Sequence, residues 1–196
     1  MEKEENFSAQ HSLQLIENMI NKAQNRMSDN GTLYLLWGWV VLICSSGQYL
    51  LMQFFASSKT GYIWLLTIIA GLVQIIYLSK QKKGAVVKTY TDEIINYIWV
   101  SFGICMGIAT FIMTNLGSWV VLYSFVLLFY GVPTFLSGIA MRFKPLVIGG
   151  IICWCLSIIS TFIQQKEILL LLSIAVLSAW IIPGYLLRKK FKSAHI

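Results

Sequence analysis

Charge is what this sequence has least of. Of its 196 residues, 15 are Lys or Arg and 8 are Asp or Glu, so 12% are charged, against about 25% in an ordinary soluble domain. Proline occurs three times and histidine twice. His11 and His195 lie near opposite ends of the chain, and neither has a partner at metal-ligand spacing. No nucleophile, acid–base or phosphate-loop motif stands in the sequence, so no catalytic residue, metal or cofactor is assigned. Of the four cysteines, Cys153 and Cys155 are two apart. On a helix, positions two apart point about 200° away from each other, which makes a poor ligand pair. All four cysteines fall in apolar runs and read as small apolar side chains, with no disulfide expected.

Apolar residues are abundant, at 57%. A single soluble core of this size cannot hide that much apolar surface. A soluble enzyme, a disordered chain and a disulfide-stapled domain are thereby excluded. The sequence predicts an all-α polytopic membrane protein. Six uncharged runs, each near the length that spans a bilayer, cover residues 32–55, 61–79, 94–115, 119–141, 145–163 and 168–187. Each must be helical, because lipid satisfies no open backbone. The joints are short, so each helix is expected to lie against its neighbour in sequence.

The basic residues flank these runs. Lys3, Lys22, Arg26, Lys80, Lys82, Lys83, Lys88, Arg142, Lys144, Arg188, Lys189, Lys190 and Lys192 fall on one side, and Lys59 and Lys166 on the other. This bias predicts that both termini are cytoplasmic. The clusters Lys80/Lys82/Lys83 and Arg188/Lys189/Lys190 are candidate contacts for anionic lipid heads. With the basic residues dispersed in this way, nucleic-acid binding is not expected.

Residues 1–31 read as a cytoplasmic helix and turn, not a signal peptide, since no apolar stretch begins before Leu33. Leu13, Ile16, Ile20, Ala23 and Met27 recur at steps of three and four, which makes a seam two heptads long. That seam is the candidate surface for a second copy or a cytoplasmic protein partner. The predicted organisation is therefore 1–31 as the amphipathic segment, 32–187 as the membrane domain and 188–196 as a basic tail.

Within the spans the polar positions are few. Gln48 and Gln74 each call for a partner on another helix, because a lone amide in lipid is costly. Gly131, Pro133 and Thr134 form a second candidate. Proline cannot donate its backbone bond, and a kink or opening is expected in the fourth span. Gly103-x-x-x-Gly107, Gly131 to Gly138 and Gly149-Gly150 read as close-packing signals. Tyr34, Trp37, Tyr77, Tyr97, Trp99 and Tyr185 read as an aromatic belt at the cytoplasmic boundary. Trp154 and Trp180 lie deeper.

The stretches LIENMI (15–20), DNGTLYLLWGW (29–39) and YGVPTFLSGIAMRFKPL (130–146) resemble a group of small, uncharacterised bacterial inner-membrane proteins. The resemblance implies one cytoplasmic N-terminal helix and six spans, in the bacterial inner membrane, and it assigns no activity. The expectation is a non-enzymatic regulatory or interaction protein acting through its N-terminal helix. The alternative is a small permease or channel for a neutral or amphipathic solute.

Overall fold

The computed structural model of the chain describes residues 31–54, 60–84, 90–117 and 119–193. The expected N-terminal helix, with Leu13, Ile16, Ile20, Ala23 and Met27, lies outside the described residues. Among the described residues every regular element is helical. They are α1 (Thr32–Phe54), a 3₁₀ segment (Thr60–Leu65), α2 (Leu66–Gly84), α3 (Tyr90–Leu116), α4 (Trp119–Ala140), α5 (Lys144–Ser160) and α6 (Gln165–Val176). A five-residue π segment (Leu177–Ile181) then leads without a break into α7 (Ile182–Ser193).

Five helices are long and apolar enough to cross a membrane: Thr32–Phe54, Thr60–Lys80, Glu93–Leu116, Val121–Ala140 and Lys166–Ser193. The run expected at 145–163 is a shorter apolar helix that ends at Ser160. The last of the five is the central rod. The π segment within it contacts α1, α4, α5, α6 and α7. Leu169, Leu172, Ala175, Val176 and Ala179 along the rod have no exposed surface. Around it stand α1, α4 and α5, with α4 and α5 paired along their length.

α2 and α3 are peripheral. The apolar window of α3 contains no buried residue, and that of α2 is almost as open. Large apolar side chains such as Ile68, Ile75, Ile104, Ile108 and Phe111 are exposed on them. In water such a surface would be an aggregation liability; on a membrane helix it is the face that meets lipid.

The structure corrects one expectation here. Short joints were expected to force sequence neighbours together, yet α2 and α3 share no backbone contact among the described residues. α2 lies on α1, and α3 lies on α4. The physical reason is where their packing side chains point. Gln74 of α2 accepts a hydrogen bond from Trp37 of α1, while Trp99 and Phe102 of α3 turn into the core.

One end of the bundle is fixed by two local contacts. Gly31, with φ +71°, sits against Gly184 and Leu187 of α7, and a Cβ there would lie 2.6 Å from the Gly184 carbonyl oxygen. The Lys190 ammonium lies 5.8 Å from the centre of the Phe143 ring. The start of α1, the α4–α5 turn and α7 therefore share one end.

Candidate functional site

Trp180 lies buried in the core, in the π segment. Its cause is legible in the next few residues. Pro183 has no N–H to give, and in an α-helix its ring clashes with the carbonyl four residues back. The chain widens just before it, and the Ile182 N–H reaches the Leu177 carbonyl, five residues away. Glycines make room for the wider turn. A Cβ on Gly149 of α5 would lie 2.6 Å from Ala179 Cα and 2.8 Å from the Ser178 carbonyl oxygen. On Gly38 of α1 it would lie 2.7 Å from Ile181 Cγ1.

Trp180 Nε1 donates to Thr134 Oγ1 at 2.9 Å, and Thr134 Oγ1 donates to the Tyr130 carbonyl at 2.7 Å. The Tyr130 and Trp180 rings are 4.4 Å apart between centres. The three side chains thus form a closed unit of hydrogen bond and ring contact. Trp99 extends it, 5.9 Å from Trp180, 5.6 Å from Tyr34 and 5.6 Å from Phe102, and Phe102 touches Tyr130 at 5.9 Å. Four helical elements meet in this cluster of five rings. Each ring fills the space against the next, so the cluster is a packed core and not an open cage. Ser137, one turn beyond Thr134 on the same buried face, has a hydroxyl with no hydrogen-bond partner among the described residues.

Two expectations change here. The opening of a helix falls at 177–181, ahead of Pro183, while α4 runs unbroken through Pro133. Pro133 is fully buried, and Gly131 beside it meets α5 closely: a Cβ there would lie 2.9 Å from the Gly150 carbonyl oxygen. Neighbouring helices thus hold the proline in line. In addition, Tyr34 and Trp99 are not belt residues. Tyr34 is buried, and both turn inward to the ring cluster. Sequence position alone marked them as boundary aromatics; the signal that pointed inward was Gly38, one turn from Tyr34.

A second polar node lies towards the other end of α1. Gln48 is buried, and its Oε1 accepts from Trp64 Nε1 at 2.6 Å and from Tyr123 Oη at 3.0 Å. Ser45 and Ser173 share a hydrogen bond of 2.8 Å, tying α1 to α6. Ser160 donates to Ser124 at 2.8 Å, tying α5 to α4. Gln74 stands apart from both, held by Trp37 Nε1 at 2.5 Å. The structure therefore does not bring Gln48, Gln74 and Thr134 into one site. A different tryptophan donates to each: Trp64 to Gln48, Trp37 to Gln74 and Trp180 to Thr134. Gly131, Pro133 and Thr134 do share one stretch of α4, with Thr134 facing Trp180 and Gly131 facing α5.

The glycine pairs separate cleanly. Gly138, Gly149 and Gly150 stand at close helix contacts, whereas a Cβ on Gly103 or Gly107 would meet nothing within 4 Å. Cys44 and Cys153 are buried, but Cys105 and Cys155 are exposed on α3 and α5. Among the described residues no group of His, Cys, Asp or Glu could hold a metal ion. Lys80, Arg188, Lys189 and Lys190 are exposed; the side chains of Lys82 and Lys83 lie outside the described residues.

These features define the class as an all-helical protein with helices suited to a membrane. No protein-family model, curated protein or solved structure matches the chain.

Proposed function

We propose that the chain is a non-enzymatic regulatory or interaction protein of the bacterial inner membrane. Its six spans serve as a scaffold, both termini are cytoplasmic, and residues 1–31 are the working part. The observation that carries this reading is the way the polar groups inside the spans are used. Gln48, Gln74, Thr134, Ser45 and Ser173 each hold one helix to another. Side chains spent on joining helices are not left to bind a passing solute. Leu13, Ile16, Ile20, Ala23 and Met27 then offer the apolar surface through which a partner or second copy would be met.

The test is photo-crosslinking in native membranes, with a photoreactive residue placed at Ile16 or Ile20 and a control at Asn18. A discrete crosslinked protein at the seam positions, weaker at Asn18 and lost when the seam isoleucine that does not carry the probe is changed to Asp (Ile20→Asp or Ile16→Asp), is expected. Equal and diffuse crosslinking at all three positions overturns the reading.

A second reading, a small permease for a neutral solute, is favoured by Ser137. Its buried hydroxyl has no partner among the described residues and lies one turn from Thr134, which meets Trp180 of the π segment. On that reading, Ser137→Ala removes solute-dependent stabilisation of the purified protein, since a ligand of the native state raises its stability.

A further inference from the structure

The α4–α5 turn carries charge that nothing in the described structure neutralises. α4 ends in a Schellman turn: the Phe143 N–H reaches the Gly138 carbonyl at 2.8 Å and the Arg142 N–H reaches the Ile139 carbonyl at 3.0 Å. Glycine usually holds the left-handed position of this motif, but here it is Arg142, with φ +49°. Two residues later Lys144 opens α5. A helix N-terminus carries partial positive charge and favours an acidic residue. Here it has a lysine, no acidic residue in the first turn and no side-chain cap at Phe143. Between the two lies Phe143, buried, with the Lys190 ammonium 5.8 Å from its ring centre. Arg142, Lys144 and Lys190 are all exposed, and among the described residues no carboxylate pairs with any of them.

We propose that Arg142, Lys144 and Lys190 form a binding site for the phosphate of an anionic phospholipid. Arg142 and Lys144 flank the buried Phe143 in the chain, and its phenyl face holds the Lys190 charge in place. An oxyanion beside that ring pairs with the cations; the helix end adds little, because Pro145 has no N–H and the Leu146 N–H already reaches the Phe143 carbonyl at 3.2 Å. The surroundings favour a lipid as the source of the phosphate. Ile139, Ile148 and Leu186, each about one helical turn along the chain from Arg142, Lys144 and Lys190 in that order, are exposed apolar side chains on which acyl chains would lie. Contact through the basic clusters alone involves Arg188, Lys189 and Lys190 as a charged tail; this site uses the fixed α4–α5 turn and only Lys190 of that tail. It is independent of what residues 1–31 do.

The experiment uses the full chain in nanodiscs of phosphatidylcholine, with and without phosphatidylglycerol of the same acyl chains, and reads the unfolding temperature and the lipid retained in native mass spectrometry. Phosphatidylglycerol is expected to raise the unfolding temperature and remain bound. Each of Arg142→Gly, Lys144→Gln and Lys190→Gln is expected to weaken that binding about fivefold, as befits one cation near an anionic surface. Lys166→Gln, at the other end of the rod, leaves it unchanged. Arg142→Gly guards against a folding defect, because glycine suits the positive φ and the variant in phosphatidylcholine alone unfolds no earlier than the parent. Equal retention by the parent and by the variant lacking all three cations overturns the proposal, as does an equal loss in Lys166→Gln. Inorganic phosphate reproducing the whole shift in phosphatidylcholine also overturns it, and assigns the turn to a soluble anion instead.

Discussion

At the scale of single residues, Trp180 joins two kinds of interaction that substitution separates. Trp180→Phe keeps a ring against Tyr130 and removes the hydrogen bond to Thr134. Hydrogen bonds between membrane helices contribute on average about 0.6 kcal/mol, so a small loss is expected. Trp180→Ala empties a fully enclosed position and is expected to cost about 3–5 kcal/mol, as large-to-small core changes do. Thr134→Val falls between, at about 1–3 kcal/mol, because it leaves the indole N–H buried without an acceptor. Ser137→Ala has the opposite sign. It removes a hydroxyl that is buried without a partner among the described residues, so stability holds or rises slightly. Unfolding by increasing SDS in mixed micelles measures all four, and a Trp180→Phe loss as large as that of Trp180→Ala contradicts the ring-packing account. None of this pairing was legible in the sequence. Thr134 was singled out for its neighbour Pro133, and its actual partner stands 46 positions away.

At the scale of elements, the glycines divide into those that let backbones touch and those that face outward. Gly149→Ala drives a methyl group into the backbone of the π segment, at Ala179 Cα and the Ser178 carbonyl. Backbone cannot move aside as a flexible side chain can, and a loss of about 1–3 kcal/mol is expected. Gly103→Ala and Gly107→Ala meet nothing within 4 Å, and alanine is the better helix former, so each leaves the unfolding midpoint of the monomer unchanged or higher. A drop in both, measured beside Gly149→Ala in the same micelles, would mean that α3 packs where the structure leaves it open. The sequence reading treated these glycines alike, because small residues at helical spacing carry the same local signature whether or not a helix faces them. It read the spans well for the converse reason. An uncharged run of about 20 residues has few places to go, and α1, α3 and α4 begin and end within a few residues of expectation, while α2 starts five residues late, after a 3₁₀ segment. The proline signals were harder to read. Pro183, nearer the predicted cytoplasmic end of its span, is the weaker signal along the chain, and only the tertiary setting explains why Pro133 is held in line while Pro183 sits below a π turn.

At the scale of the whole molecule, the weakest link in the six-span reading is α5. Its 17 residues rise about 25 Å, less than the roughly 30 Å of a typical hydrocarbon core. A short span is tolerated when the bilayer thins locally or when flanking residues reach out. α5 has both neighbours it needs for that: it is paired along α4 and closes on the π segment through Gly149. The geometry of the ends adds weight. Lys190 over Phe143 fixes the α4–α5 turn at the same end as α7, and α7 is the last part of a rod of 28 residues that begins at Lys166. The α5–α6 turn thus stands at the far end of the longest apolar element, so a sixth crossing through α5 is the expectation. Single cysteines at positions 144, 164 and 193, in a background freed of the four native thiols, test this. In sealed cells a membrane-impermeant maleimide is expected to label Gln164→Cys alone, and after permeabilisation all three, because the basic excess puts positions 144 and 193 inside. Joint labelling of 144 and 164 in sealed cells would place α5 within one leaflet, reduce the crossings to five and put the two termini of the chain on opposite sides of the membrane.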